Sequence, residues 1–366
     1  MYHPVLDHSS VPTVDAALGA PAPTAPVATP ANTAAKAAPL PATRNPGILL
    51  GMLVLYVVWG STYLAIAVAV QSIPPFMMAA TRFVTAGVLL LAWSRLRGGG
   101  DFEWPTRREW RDSLIVGGLL LGGGMGMVAF AEKTIPSGIT AILIAMLPVW
   151  VAIFSRLFFG ERLPRGAIVG IAVGFVGVAV LVGPTALGIE GGLEPVGLAA
   201  VILSPICWSL GSLYASHRAV LPRRPLVLAG AEMLAGGLIL VAMSGASGEL
   251  ATFHIADVTT SSLVALGYLT VVGSLIAFTT YGWLLRKAPL SLIATYAYVN
   301  PVVAVILGAI VLQEPIEART LIAGAIIVFA VALIVTARGR MLRPAEQLAA
   351  ERTATPVGGD RAPEAA

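Results

Sequence analysis

The chain has 366 residues, 57% apolar and 11% charged, and its 23 Lys and Arg against 19 Asp and Glu leave a net charge of +4. A soluble domain carries roughly 25% charged residues, so lipid is the solvent for most of this chain and a large water-facing domain is excluded. The single cysteine, Cys207, excludes an intrachain disulfide, and the four histidines (His3, His8, His217 and His254) lack metal-ligand spacing.

Residues 1–46 are rich in Ala, Pro and Thr, hold no run apolar enough for a signal peptide, and read as a disordered, uncleaved tail. From Gly47 to Thr336 apolar stretches recur with only short polar breaks. A helix crossing the roughly 30 Å of hydrocarbon needs about 20 residues. Hydropathy and breaker residues place spans near 47–70, 74–94, 112–131, 136–156 and 166–183, and again near 196–216, 225–244, 262–285, 289–312 and 320–337. The prediction is an all-α membrane protein of about ten transmembrane helices. Residues 47–183 form a first half, 184–195 a linker, 196–337 a second half, and 338–366 another disordered tail.

Lys and Arg collect in alternate loops: Arg95, Arg97, Arg107, Arg108 and Arg111 in one, Arg156, Arg162 and Arg165 in the next such loop, then Arg218, Arg223 and Arg224. The opposite loops hold two, Lys133 and Arg319. Basic residues stay on the cytoplasmic side, which puts both termini in the cytoplasm. This grouping at span ends also explains the positive charge without a nucleic-acid partner.

Residues 136–182 align with 289–335 at a constant offset, matching Pro136 with Pro289, Pro148 with Pro301, Val149 with Val302 and Glu161 with Glu314. Earlier spans match at slightly shorter offsets, Pro75 with Pro225 and Gly60-Ser61-Thr62-Tyr63 with Gly211-Ser212-Leu213-Tyr214. The chain is an internal duplication. Because each half has five spans, an odd number, the second enters the membrane inverted, which places Glu161 and Glu314 at opposite faces. Inverted repeats of this kind are common in secondary transporters, with the solute site near midplane between the halves.

The run Trp59-Gly-Ser-Thr-Tyr-Leu-Ala-Ile66, with Thr81-Arg82-Phe83, Ile135-Pro-Ser-Gly-Ile139, Gly160-Glu161-Arg162 and Tyr298-Val-Asn-Pro-Val302, resembles the EamA family of the drug/metabolite transporter superfamily. Within that family it is most like the YedA-like permeases, and the resemblance covers residues 47–337. It departs from the pattern where Gln313-Glu314 replaces the Gly160-Glu161 of the first half. The resemblance implies two inverted five-helix EamA repeats around a central cavity and outward transport of a small organic solute such as an amino acid, a derivative or a drug. Arg outnumbers Lys 20 to 3 and Ala is abundant, the composition of a GC-rich genome; with the resemblance this implies a bacterial inner membrane.

Several residues are too polar or too specific for lipid contact. Ser61 and Tyr63, and Ser212 and Tyr214, sit in the paired G-S-x-Y motifs, where small residues permit close helix packing and hydroxyls can bind solute. Trp59 and Trp208 lie beside those motifs, deeper than an interfacial belt requires. Tyr296, Tyr298 and Asn300 fall in the ninth span, whose Pro301 frees a backbone carbonyl as Pro148 does in the fourth; the first half offers Leu147 in place of Asn300. Arg82 and Glu232 hold opposite charges at one repeat position, and a charge at that depth is by default functional or paired. On the functional reading Glu232 takes up and releases a proton as the halves rock, while Arg82 attracts an anionic group or pairs with Glu232 in one state. Glu132 and Lys133 end the third span as interfacial charges, and its glycines, Gly117 to Gly126, thin the helix for packing.

No Walker motif is present to bind nucleotide phosphates, and no nucleophile–base set converges, so neither cofactor, metal nor catalytic residues are expected. The alternatives to a transporter are a membrane enzyme or a non-transporting scaffold. Partners are a small solute and the lipid bilayer; a homodimer is left open.

Overall fold

A computed structural model describes residues 46–98, 102–186, 193–284, 287–288, 290–293 and 295–354. The tail at 1–45 and most of the linker therefore lie outside the described residues. Among those described, nine helices are long and apolar enough to cross a membrane, and a tenth is shorter. They are α1 (Pro46–Ala69), α2 (Pro75–Gly98), α3 (Arg107–Ala131), α4 (Ser137–Phe159), α5 (Arg165–Ala186), α6 (Pro195–His217), α7 (Pro225–Ala246), α8 (Thr260–Tyr281), α9 (Tyr296–Val311) and α10 (Ala318–Ala354). Proline opens α1, α2, α6 and α7, where its missing N–H is one the first turn cannot use. Thr106 opens α3 with a capping box closed by Glu109.

Three features differ from a plain ten-span reading. First, α4 is broken: the chain leaves the helix at Ala145 and Met146, and a new helix starts at Leu147. Pro148 thus falls in a helix's first turn, whereas the sequence places it mid-span. The equivalent span of the second half is broken too, into Leu290–Ile293 and α9, so α9 is only 16 residues long. Second, α3 and α8 widen into π-helix over Gly118–Gly126 and Leu269–Ile276, which are matching repeat positions. Such stretches are rare and concentrate at functional sites. Third, α10 continues to Ala354, past its membrane segment Ala318–Ala337, in place of the disorder expected from residue 338. The run Ala-Glu-Gln-Leu-Ala-Ala-Glu at 345–351 is made of strong helix formers, which accounts for it.

The duplication is visible in the packing. Helix α2 runs along its repeat partner α7, and α5 along α10, while α1 packs on α8 and α9 just as α6 packs on α3 and α4. At the α2–α7 seam a Cβ on Gly87 would sit 2.6 Å from the Leu234 nitrogen, so the two backbones meet where a side chain is missing. Large apolar side chains such as Leu50 and Leu53 on α1, Val169 and Val176 on α5 and Leu238 on α7 face outward. An exterior this apolar is a surface for lipid.

Candidate functional site

Between the halves lies a cavity of about 100 Å³. Helix α1 supplies Trp59, Thr62 and Tyr63, and α6 supplies Ser204, Pro205 and Trp208. Arg82 and Phe83 come from α2, Leu147 from the restart of α4, Phe278 from α8, and Tyr296 and Asn300 from α9. Both broken spans thus reach the cavity at their breaks.

The aromatic wall is built around Trp59. Its indole meets Tyr296 edge-on at 4.9 Å between centroids, Phe278 at 5.8 Å, and the tilted ring of Tyr281 at 5.3 Å. Tyr56, one turn earlier, bonds through its hydroxyl to Thr295 Oγ1 at 2.6 Å, which fixes the start of α9 against α1.

The polar groups are few and distinct. Arg82 is 3% exposed, and its Nε donates to Ser274 Oγ at 2.9 Å in the π-helical part of α8. The guanidinium lies over Gly273, where a Cβ would come within 3.2 Å of Nη2. Its carbon also sits 4.7 Å from the centre of the Phe83 ring. Asn300 is 7% exposed and its Oδ1 has no hydrogen-bond partner. A buried amide oxygen with nothing to accept is a site for a donor. The cavity therefore offers one guanidinium, one unused acceptor and hydroxyls, all inside aromatic walls.

Of the residues singled out from sequence, Trp59, Tyr63, Arg82, Trp208, Tyr296 and Asn300 line this cavity. Others lie elsewhere. Ser61 donates back to the Val58 carbonyl at 2.9 Å and bonds Tyr268 at 2.6 Å, on a groove at the outer side of α1 and α8. Tyr214 gives its hydroxyl to Asp112 at 3.0 Å, in a cluster at the arginine-rich end where Asp112 also accepts from Arg111 and the Val220 amide. Ser212 is not among the cavity walls, and the buried Tyr298 hydroxyl has no partner there or elsewhere among the described residues. The glycines of the two motifs serve packing: a Cβ on Gly60 would lie 2.6 Å from Val303, and one on Gly211 2.9 Å from Leu119.

Arg82 and Glu232 are not brought together. Glu232 packs against α3, where a Cβ on Gly117 would strike the Glu232 carbonyl oxygen, and no ion pair joins either residue to another among the described residues. Thr62, Ser204 and Ser274 are polar site residues that sequence reasoning passed over. The signal for Ser274 was available, since it is a hydroxyl deep in an apolar span beside a glycine.

A profile of the EamA-like transporter family matches residues 45–183 and 195–336, one repeat each. The chain belongs to the EamA-like transporter family. Among its EamA relatives, the uncharacterized inner membrane transporter YedA of Escherichia coli strain K12 is 41% identical over 298 residues, covering 81% of this chain and 92% of that protein. Protein PecM of Dickeya dadantii is 26% identical over 302 residues, covering 79% and 94%. A solved crystal structure at 22% identity superposes with a TM-score of 0.55 over 79% of this chain and 96% of its own, which supports the fold. This EamA protein is accordingly a multi-pass inner membrane protein with two inverted five-helix repeats, and a membrane transporter.

Proposed function

We propose that the protein is a secondary transporter that exports a small amphipathic solute bearing a carboxylate or similar anionic group, such as an amino acid or a derivative, by alternating access. The observation that carries this reading is the Arg82 guanidinium, buried at the wall of the central cavity and held on one edge only, by Ser274. A guanidinium in a dry site recognises a carboxylate through two parallel hydrogen bonds. Trp59, Trp208 and Tyr296 supply apolar faces for the rest of the solute, and Asn300 Oδ1 accepts from a donor such as an amine. Glu232, across α7, serves as a second ionisable group outside the cavity.

Small-molecule sites usually measure roughly 300–1,000 Å³, so a cavity of about 100 Å³ is contracted and must widen to admit a solute. The breaks at Ala145–Met146 and before Tyr296 supply hinges at the cavity wall. The same arrangement argues against a membrane enzyme, because the cavity brings no nucleophile within reach of a base. It also argues against an inert scaffold, for which a buried unpaired cation is only a cost.

Purified protein in liposomes, screened against pooled labelled amino acids, their derivatives, nucleobases and cationic drugs, tests the reading. Saturable flux concentrated among carboxylate-bearing solutes is expected. The absence of saturable flux with every pool would overturn it.

A further inference from the structure

Glu132 follows α3 in the turn that leads to α4, outside both spans, yet it is 6% exposed, while its neighbour Lys133 is exposed. Neither Glu132 carboxylate oxygen has a hydrogen-bond partner, with only the Ala67 backbone of α1 in weak reach. A carboxylate cannot keep its charge in such a place without compensation, and a bound proton is the compensation available.

The surroundings form a succession inward from the arginine-poor surface. Half-buried Glu314, beyond the end of α9, lies close enough for its charge to act on Glu132. Glu314 is itself committed: its Oε1 accepts from the Ser137 amide at 2.8 Å and its Oε2 from the Gly138 amide at 3.2 Å, at the first turn of α4. Ser137 and Thr140 are wholly buried in that turn with hydroxyls that have no partner. The missing side chain of Gly308 leaves the space that Glu314 Oε2 and Ser137 Oγ share.

We propose that Glu132 is a proton-binding site, loaded from the arginine-poor face past Glu314.

Burial, and after it the facing Glu314 carboxylate, raise the Glu132 pKa well above the usual carboxylate range. The basic groups at this end do not offset that: Lys133 is exposed and Arg319 pairs with Glu317 at 3.2 Å. Glu194 on the approach to α6 caps the Val196 and Gly197 amides, and Glu249 beyond α7 caps the Phe76 and Met77 amides of α2. Arg82 of α2 is turned to Ser274. A metal ion fits less well than a proton, because no group of three or more His, Cys, Asp or Glu gathers among the described residues. This inference rests on the transport reading for its purpose and names the coupling ion of that same cavity, but its test needs no solute.

Purified full-length protein in lipid nanodiscs is titrated with a pH-indicator dye from about pH 6, already above the ordinary Glu range, to about pH 9. Wild type should release about one more proton per molecule than Glu132→Gln. Equal titrations of folded wild type and Glu132→Gln overturn the site. Should Glu132→Gln fail to fold, Glu132→Asp keeps the acid on a shorter arm and must shift the titrating step; an unmoved step overturns the site in the same way. Because no solute is present, a negative flux screen leaves these outcomes intact and is distinguishable from them.

Discussion

Arg82 and Ser274 join the two halves of the molecule, Nε donating to Oγ at 2.9 Å across the α2–α8 contact. The bond fixes the one edge of the guanidinium that faces α8 and leaves the remaining donors toward the cavity. Ser274→Ala removes the acceptor from a buried cation, which costs about 1.5–3 kcal/mol. The variant should therefore melt at a lower temperature than wild type in the same detergent. It should also lose flux of anionic solutes more than flux of neutral ones, because a loosened guanidinium no longer meets a carboxylate squarely. Wild-type melting with wild-type flux would show that Ser274 does not position Arg82.

The fourth segments of both halves end alike, in a left-handed residue: Gly160 at φ 67° and Gln313 at φ 56°. The chain then folds back, Glu161 N donating to the Ser155 carbonyl and Glu314 N to the Gly308 carbonyl. Glycine adopts this conformation freely, whereas a residue with a Cβ pays about 1–2 kcal/mol. Gln313 recovers part of that through Nε2, which donates to the Ile310 carbonyl at 2.8 Å. Gln313→Gly should accordingly raise thermal stability by up to about 1 kcal/mol, and Gly160→Gln should lower it by a similar amount. A fall in melting temperature for Gln313→Gly would mean that the side-chain bond outweighs the strain.

Inverted repeats place the segments after Gly160 and after Gln313 at opposite membrane faces. Glu314 caps α4 and is a poor site for a label, but Arg162 and Glu317 beside the two positions are exposed. Cysteines at those two positions, in a Cys207→Ser background, should be modified from opposite sides. An impermeant thiol reagent added to intact cells should reach the position 317 cysteine alone. Labelling of both from outside would contradict the inverted arrangement.

The fold was legible because its signals are one-dimensional: apolar runs of span length, prolines at helix starts, arginines in alternate loops and a repeat with near-constant offset. What escaped were features decided by packing. Pro148 reads as a mid-span kink that frees the Ile144 carbonyl, but the chain leaves the helix at Ala145, and the proline falls where no N–H is needed. Glu132 and Lys133 read as one interfacial pair, yet the last turn of α3 directs one inward and the other outward. Ser61 and Thr62 differ by about 100° around α1, and the face toward α8 and α9 selects Thr62 for the cavity while Ser61 turns to Tyr268. Sequence names the hydroxyl-rich motif. It cannot say which hydroxyl faces the partner half.

Asn300 and Leu147 stand at the same repeat position and both line the cavity, one polar and one apolar. The unpartnered Oδ1 of Asn300 is thus an asymmetric feature of an otherwise duplicated site. Asn300→Leu copies the first half, fills nearly the same volume and removes only the acceptor. If a solute donor binds there, the loss of one hydrogen bond in a buried site is about 1–3 kcal/mol, which raises the apparent dissociation constant by roughly 5- to 150-fold. Melting should change little, since the native amide makes no bond through Oδ1 that the fold would miss. Leu147→Ala, in contrast, opens space without removing a polar group, and should lower stability more than affinity. Asn300→Asp separates recognition from packing most sharply, because a carboxylate in the cavity competes with the solute for the Arg82 guanidinium and should suppress flux of anionic solutes further than Asn300→Leu does. Equal losses in all three variants, after protein levels are matched, would return Asn300 to a packing role.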